Sequence, residues 1–354
     1  MSKHVVVALA GPSRDIAKRI RPGRIGRLAR TASALALVAA PLLFGGLAIP
    51  APALADVAPA RPATLPAAPT SQPAIKWVNP PKVQDPLRQH KTYQSAAMGV
   101  PVGYQIYLPP GYADAGNTAR YPVIYWLHGL GGSESGDGFP SAIVDKAIRE
   151  KKVPPMIVVY ANGGASCWYS DSPDGRRLAH TTVVKELIPH VDATYRTVAS
   201  RDGRAIQGMS MGGYGAMKFG LMYPEMFSSV VAFAGSYRNA EELSGDKDKA
   251  YIFANAFGSD AERFAAQHPT ALLARNLGAV SGKVAIKFFI GTADKPVLLA
   301  GNRRLHAQMD ELKVPHEYHE IAGIDHNLPK LAAAVQAEGL EFAARHFKAE
   351  AAGK

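Results

Sequence analysis

A serine held between glycines is the part of this sequence with the clearest chemistry. Ser210 stands in the run Gly208-Met-Ser-Met-Gly-Gly213, between an apolar stretch from Arg204 and a helical pattern that Pro224 ends. A strand that turns sharply into a helix leaves a hydroxyl exposed at the edge of a sheet, and glycines allow so tight a turn. The run therefore predicts a nucleophilic serine; the alternative is an ordinary glycine-rich turn.

A serine hydroxyl is a weak nucleophile and needs a histidine base that a carboxylate orients. Where the serine stands at such a turn, the acid follows it in the chain and the histidine comes last. His326, in a loop directly after the last predicted strand, is the expected base; the alternative is a loop histidine that caps the final helix. The other downstream histidines precede the candidate acid or lie within predicted helices or a strand: His268, His306, His316, His319 and His346.

Asp294 is the expected acid, because it follows the apolar strand that ends at Ile290 and so reaches the same edge of the sheet as Ser210. A turn aspartate or a helix N-cap is the structural alternative. Asp325 competes for the catalytic role, but a direct neighbour of His326 in sequence is poorly placed to bond its ring nitrogen.

The tetrahedral intermediate of an acyl transfer needs two N–H groups aimed at its negative oxygen. The Met211 amide, which opens the helix after the serine, is one expected donor. The Leu130 amide is the other, since it lies in His128-Gly-Leu-Gly-Gly132, where glycines let the backbone approach a substrate closely. His128 itself is expected to pack within this loop.

Other residues near this edge carry weaker signals. Trp168 and Tyr169 are candidates to line an acyl or aryl pocket, and aromatic packing that closes their loop is the alternative. Cys167, away from any turn of the Ser210 kind, is expected to be a packed or half-exposed free thiol. The run His316-Glu-Tyr-His319 does not fit a zinc motif, because a spacing of three on a strand places the two histidines on opposite faces.

A sheet with helices must position these residues. Alternating polar and apolar residues predict a solvent-facing antiparallel pair at 91–97 and 102–108, and apolar runs predict strands at 123–127, 156–160, 204–208, 228–234 and 283–290, before a last strand at 316–321. Helices are expected at 141–150, 181–195, 214–222, 297–312 and 329–347, with a partly helical insertion at 238–282. This order predicts an α/β fold whose mostly parallel central sheet is flanked by helices on both faces and binds ligands at its carboxyl edge.

The first 55 residues are expected to be a secretory signal peptide. Eight Lys and Arg residues against one acid precede an apolar run from Ala32 to Leu47, and Ala53-Leu-Ala55 is a small-x-small cleavage site. Cleavage before Asp56 would export the protein to the periplasm or the extracellular space. An uncleaved membrane anchor is the alternative, because a proline and two glycines interrupt the run. Residues 56–76, rich in Pro and Ala, are expected to form a linker, and residues 77–354 a single domain.

The formal net charge of +11 gives no support for nucleic-acid binding, because +7 of it belongs to residues 1–55 and only about +4 remains after cleavage. The single cysteine excludes an internal disulfide. No apolar run after residue 55 is long enough to cross a bilayer, so no stable membrane partner is expected after cleavage. The oligomeric state is not determined by these patterns.

Five segments together resemble the esterase D / putative esterase family. They are Tyr125-Trp-Leu-His-Gly-Leu-Gly-Gly132, Asn162-Gly-Gly with Trp168-Tyr-Ser-Asp171, Gly208–Gly213, Gly291-Thr-Ala-Asp294 and Gly323-Ile-Asp-His326. That family includes feruloyl esterases, S-formylglutathione hydrolases, enterochelin esterases and secreted mycolyltransferases. The resemblance spans residues 91–347 and implies the α/β-hydrolase fold. It assigns the nucleophile to Ser210, the acid to Asp294, the base to His326 and the oxyanion donors to Leu130 and Met211.

The sequence departs from the pattern of this family in the residues that follow His326, which are expected to lie beside the base. Many relatives follow the histidine with an acidic residue and a nearby tryptophan, whereas this chain has Asn327-Leu-Pro329. The residues and the resemblance together lead us to expect an exported serine carboxylesterase that acts on small acyl esters or on feruloyl or acetyl esters of carbohydrates. This chemistry needs no metal or organic cofactor.

Two other functions remain open at this point. An acyltransferase of the mycolyltransferase type would use the same triad and pass the acyl group to a sugar. A non-catalytic binding protein on a hydrolase scaffold belongs to a different class, and it is disfavoured because every catalytic position is filled. A serine peptidase has little support, since no propeller or large cap domain fits in the available length.

Overall fold

The computed structural model describes residues 74–81, 84–136 and 140–348. The predicted signal peptide and nearly all of the predicted linker lie outside the described residues. No helix in the part of the chain that the structure describes is both long and apolar enough to span a bilayer.

The described strands form one sheet. They are β1 (Arg88–Gln94), β2 (Pro101–Tyr107), β3 (Val123–Leu127), β4 (Ile157–Ala161), β5 (Arg204–Met209), β6 (Ser229–Phe233), β7 (Ala285–Gly291) and β8 (Glu317–Ile321). Their spatial order is β1-β2-β4-β3-β5-β6-β7-β8. The pairs β1/β2 and β2/β4 are antiparallel, and the remaining pairs are parallel. The predicted mostly parallel sheet is confirmed, with strand boundaries within a few residues of those expected.

Helices cover both faces of this sheet. They are α1 (Ser141–Arg149), α2 (Ile188–Thr194), α3 (Met211–Met222), α4 (Ala240–Ser244), α5 (Ala250–Phe257), α6 (Ala261–Gln267), α7 (Pro269–Arg275), α8 (Leu277–Val280), α9 (Pro296–Glu311) and α10 (Leu328–His346). Successive residues of β3 point into two separate apolar cores, Tyr125 into one and Ile124 and Trp126 into the other. The insertion at 238–282, which was predicted to be partly helical, contains the five helices α4 to α8.

Two details differ from the expectation. The first is that β2 is not solvent-facing, because α2 covers one of its faces and α1 the other. The Tyr104 ring lies 5.6 Å from that of His190, and the Tyr107 hydroxyl donates to Asp145 at 3.0 Å. The second is that the predicted helix 181–195 starts with a wider π-helical stretch, Thr181–Leu187, before α2. Pro189 has no N–H, so the usual helical hydrogen bond is missing where the two stretches join.

Candidate active site

Ser210 stands at the turn between β5 and α3, with φ 56° and ψ −113°. Residues other than glycine rarely adopt this backbone conformation. Such a conformation costs on the order of 1–3 kcal/mol and persists only where the surroundings hold it. The Ser210 amide donates to the Phe233 carbonyl at 2.9 Å, and its carbonyl accepts from the amides of Tyr214 and Ser236, each at 3.0 Å. The end of β6 and the first turn of α3 therefore fix the serine at the carboxyl edge of the sheet.

The glycines on either side of Ser210 are required by close backbone contacts. A Cβ at Gly208 would overlap the Gly212 carbonyl, and a Cβ at Gly212 would overlap the Leu127 carbonyl at the end of β3. Neither obstacle is a flexible side chain, so neither can move aside cheaply. The glycine pattern thus reflects the packing of this turn against the neighbouring strand.

The structure brings Ser210, His326 and Asp294 into one hydrogen-bonded chain. His326 Nε2 lies 2.9 Å from Ser210 Oγ, and His326 Nδ1 lies 2.8 Å from Asp294 Oδ2. Asp294 is buried, and its other oxygen accepts from the Lys295 amide at 2.6 Å. Asp325 instead pairs with Lys330 at 3.1 Å in an exposed position. When Nδ1 donates to the carboxylate, Nε2 is left free to accept the serine proton.

Backbone hydrogen bonds between two loops set the distance from acid to base. Asp294 lies in the turn after β7 and His326 in the loop after β8. The amide of Thr292 donates to Ile321 at 2.9 Å, and that of Ala293 donates to Ile324 at 3.1 Å. Because the two loops are joined in this way, a carboxylate far from His326 in sequence becomes its neighbour in space.

The two expected oxyanion donors flank the serine. Met211 is buried at the start of α3, where the positive end of the helix dipole favours negative charge. Leu130 is half-exposed in the loop after β3, and a Cβ built on the preceding Gly129 would lie 3.6 Å from Ser210 Cβ. Among the hydrogen bonds of the described residues, none is donated by the amide of Leu130 or Met211. Both N–H groups are therefore available to a ligand.

His128 packs within that loop, as expected, and holds its shape. Its Nδ1 donates to the Gly129 carbonyl at 2.8 Å, and its Nε2 accepts from the Gly163 amide at 3.1 Å. Burial lowers the pKa of His128 from 6.5 to about 4, so the ring is neutral at physiological pH. A neutral ring is required, since a protonated Nε2 could not accept from Gly163.

The two aromatic candidates have different surroundings. Trp168 lines the cleft that contains Ser210, whereas Tyr169 is fully buried and donates from its hydroxyl to the His128 carbonyl at 3.0 Å. Both have positive φ, at 54° and 48°. The fully buried Lys218 of α3 holds this strained loop, because its Nζ donates to the Tyr169 carbonyl at 2.8 Å and to Ser170 Oγ at 2.9 Å. Burial lowers the pKa of Lys218 to about 7. Cys167 is buried, and burial raises the pKa of its thiol to about 12.

The cleft around Ser210 has a volume of about 340 Å³. Trp168, Leu130, Leu298 and Leu328 form its apolar walls. Three cationic residues that the sequence analysis did not single out also line it: Arg238, Lys249 and Lys295. Arg238 and Lys249 belong to the insertion, and Lys295 directly follows the expected acid. Only the last position was a sequence signal, because a residue next to Asp294 must lie near the site.

Residues that could bind a metal lie elsewhere. In the described part of the chain, the side chains with suitable spacing are His306, Asp310 and His316, and separately Glu317, His319 and Glu338. His316 stacks on Phe288 and His319 on Phe289, so the two histidines of the discounted motif belong to different clusters. None of these residues lines the cleft around Ser210.

Comparisons with known proteins agree with this architecture. Residues 95–335 match the family described as "Putative esterase". An esterase of Mycobacterium tuberculosis is 29% identical over 267 residues, which cover 68% of this chain and 56% of that protein. An endo-1,4-beta-xylanase/feruloyl esterase of Xylanibacter ruminicola is 34% identical over 173 residues, which cover 47% of this chain and 24% of that protein. The chain thus spans about half, or less, of the length of these relatives.

Solved structures support the fold. A ferulic acid esterase matches with a TM-score of 0.62 at 22% identity, covering 74% of this chain and 98% of that one. An S-formylglutathione hydrolase from Agrobacterium tumefaciens matches with a TM-score of 0.59 at 18% identity, covering 74% and 95%. At such identities the likeness concerns the fold alone. The chain therefore belongs to the "Putative esterase" family and has the α/β-hydrolase fold.

Proposed function

We propose that this protein is a serine carboxylesterase in which Ser210, His326 and Asp294 form the catalytic triad. The observation that carries the proposal is the chain of hydrogen bonds from Ser210 Oγ through His326 to Asp294, at 2.9 and 2.8 Å, at a strained turn. Relatives named as esterases and feruloyl esterases support the same reaction class.

In the acylation step, Ser210 Oγ attacks the ester carbonyl while His326 Nε2 takes its proton. The charge on the imidazolium is stabilised by Asp294, and the negative carbonyl oxygen is held by the amides of Met211 and Leu130. His326 then gives the proton to the departing alcohol, and the acyl group remains on Ser210. In deacylation, His326 takes a proton from a water molecule that attacks the acyl carbonyl, and then returns it to Ser210 Oγ as the acid product leaves.

For the substrate we propose small acyl esters or feruloyl or acetyl esters of carbohydrates. Trp168 and the leucines of the cleft offer an apolar wall for an acyl or aryl group, and one relative is named a feruloyl esterase. We further propose that the predicted signal peptide exports the enzyme to the periplasm or the extracellular space. An acyltransferase differs only in the acceptor, because the acyl-enzyme is the same.

The test is hydrolysis of p-nitrophenyl acetate, butyrate and octanoate and of methyl ferulate by the wild type, Ser210→Ala and Ser200→Ala. We expect Ser210→Ala to lower kcat/KM by about 10³-fold or more, because it removes the nucleophile. Ser200, an exposed serine that makes no capping hydrogen bond, is the matched control. Equal activity of the two variants would overturn the assignment of the nucleophile.

Two further measurements separate the alternatives. A binding protein on this scaffold would not react with a fluorophosphonate probe, whereas the proposed enzyme is labelled at Ser210. A sugar acceptor added during turnover would divert the acyl group from water if the protein is an acyltransferase. We expect the free acid as the main product, and acyl sugar in excess would favour the transferase.

A further inference from the structure

The charged residues of the cleft are of one sign. Apart from His326, the titratable side chains that line it in the described part of the chain are Arg238, Lys249 and Lys295, and no carboxylate lies among them. Arg238 and Lys249 come from the insertion, and Lys295 directly follows the triad acid in sequence. Three cationic side chains from two separate segments of the chain thus line the cleft that contains Ser210.

Arg238 is unusual because its charge is buried. Its side chain is 5% exposed, and one guanidinium nitrogen donates to Asp246 at 2.5 Å. Its buried Nε has no hydrogen-bond partner among the described residues. Arg238 also lines the cleft, and hydrogen bonds between a guanidinium and an anion are among the stronger ones, so a bound anion would stabilise this cation.

The positive charge of this group exceeds the negative charge that faces it. Asp246 is shared, since Lys249 Nζ also lies 3.4 Å from the same carboxylate oxygen. Lys295 is exposed and forms no ion pair with another described residue. Asp294, which directly precedes Lys295, is occupied with His326 and the Lys295 amide. Glu242 also feels the charge of Arg238, but it forms its ion pair with Arg304. Among the described residues, Asp246 is therefore the carboxylate that forms ion pairs with the cations of the cleft.

We propose that the cleft selects esters that carry an anionic group, a carboxylate or a phosphate, beside the scissile bond. Arg238 and Lys249 of the insertion hold the anion, and Lys295, which also lines the cleft, adds attraction. The inference rests on the proposed esterase function, because it names the substrate class of the same site. Opposite charge brought together in a partly desolvated cleft gives selectivity that salt weakens.

The test compares matched esters that differ in charge. On the acyl side the pair is p-nitrophenyl hydrogen glutarate and p-nitrophenyl pentanoate; on the alcohol side it is 3-acetoxybenzoate and 3-acetoxybenzamide. For at least one pair we expect kcat/KM for the anionic member to exceed that for the neutral member by about tenfold or more, and the ratio to fall as NaCl rises from 20 to 500 mM. Inhibition by glycerol phosphate is compared with inhibition by glutarate, and the stronger inhibitor shows whether the site prefers a phosphate or a carboxylate group.

Variants locate the selectivity. Lys249→Gln and Lys295→Gln should each lower the charged-to-neutral ratio by about threefold to tenfold, and Arg238→Lys should retain more of it than Arg238→Gln. Lys247→Gln is the matched control, because it removes an exposed lysine of the same insertion that does not line the cleft. The ratio is read within one variant, so a loss of folded protein does not imitate the effect.

The outcomes separate this inference from the function on which it rests. Hydrolysis that needs Ser210 but favours the neutral member of both pairs would overturn the anionic subsite and leave the esterase intact. If no ester is hydrolysed, the rate of fluorophosphonate labelling at Ser210 is measured with glutarate or with neutral 1,5-pentanediol present. Protection by glutarate alone, lost in Lys249→Gln, would support the subsite, and equal or absent protection would overturn it.

Discussion

At the residue scale, the choice between Asp294 and Asp325 is the sharpest question in the proposed triad. Both are acidic residues close to His326, one in space and one in sequence. Asp294 reaches His326 Nδ1 at 2.8 Å from a buried position, whereas Asp325 is exposed and paired with Lys330. Burial strengthens the interaction of a carboxylate with an imidazolium, so of these two residues Asp294 is the one suited to the role of the acid in the proposed mechanism.

We therefore expect Asp294→Asn to lower kcat by about 10²- to 10⁴-fold, because the amide cannot stabilise the imidazolium or favour the required tautomer. Asp325→Asn should leave kcat within about twofold to threefold of the wild type, since it loses only a surface ion pair. The measurement is kcat on p-nitrophenyl butyrate, with thermal unfolding of each variant as a check on folding. Equal losses in the two variants would argue against Asp294 as the acid.

At the element scale, the turn from β5 to α3 shows how packing against a neighbouring strand dictates sequence. Gly212 lies in the first turn of α3 against the end of β3, with the carbonyls of Leu127 and His128 close by. The same strand end begins the loop that carries Leu130. A change in the spacing of α3 and β3 would therefore move the proposed nucleophile, Ser210, relative to the proposed oxyanion donor, Leu130.

Gly212→Ala tests this packing. We expect the variant to lose about 2 kcal/mol or more of stability, because the added methyl meets backbone atoms that cannot turn away, and to lose activity as well. Gly278→Ala in α8 is the matched control, since a Cβ there meets nothing within 4 Å. It should be neutral or stabilise by up to about 1 kcal/mol. Urea unfolding measures both, and a Gly212→Ala protein as stable as the wild type would show that the turn can relax.

At the scale of the whole molecule, buried histidines couple stability to pH. Burial lowers the pKa of His128, His180 and His268 from 6.5 to about 4 each, with the charge of Lys218 adding to the effect at His180. Below pH 6.5 these three histidines therefore bind protons in the unfolded chain but stay neutral in the folded chain until the pH approaches 4. The stability that these neutral rings contribute is present above pH 6.5 and is lost as the pH falls from 6.5 toward 4.

We expect the free energy of unfolding to fall by up to about 4 kcal/mol per pH unit near pH 5, from about 1.4 kcal/mol per proton for three histidines. The measurement is urea unfolding at half-unit steps from pH 7.5 to 4.5. His268→Gln should reduce the slope by about one proton, whereas His319→Gln, at a half-exposed position, serves as the control. A free energy of unfolding that does not fall between pH 6.5 and 4.5 would contradict the buried neutral rings.

The local pattern of the sequence determined much of this protein. Apolar runs and their order along the chain were enough to predict the strands, the mostly parallel sheet and the edge to which Ser210, Asp294 and His326 come. This was possible because a strand that is buried on both faces is a short continuous apolar run in the sequence, and because parallel strands connected through helices end at the same edge of the sheet. The glycines beside Ser210 also predicted the turn, because the crowded backbone there leaves no room for a Cβ.

Only the tertiary structure decided what faces each of these elements. The alternation of polar and apolar residues along β2 shows which residues share a face of the strand. It does not show that both faces are buried, because the helices that cover them, α1 and α2, come later in the chain. Trp168 and Tyr169 are adjacent in sequence, yet one lines the cleft and the other lies beneath it, because Lys218 and His128 hold the loop in place. The three cations of the cleft lie up to 57 positions apart in the chain. Their convergence is a long-range contact, and no local pattern of residues encodes it.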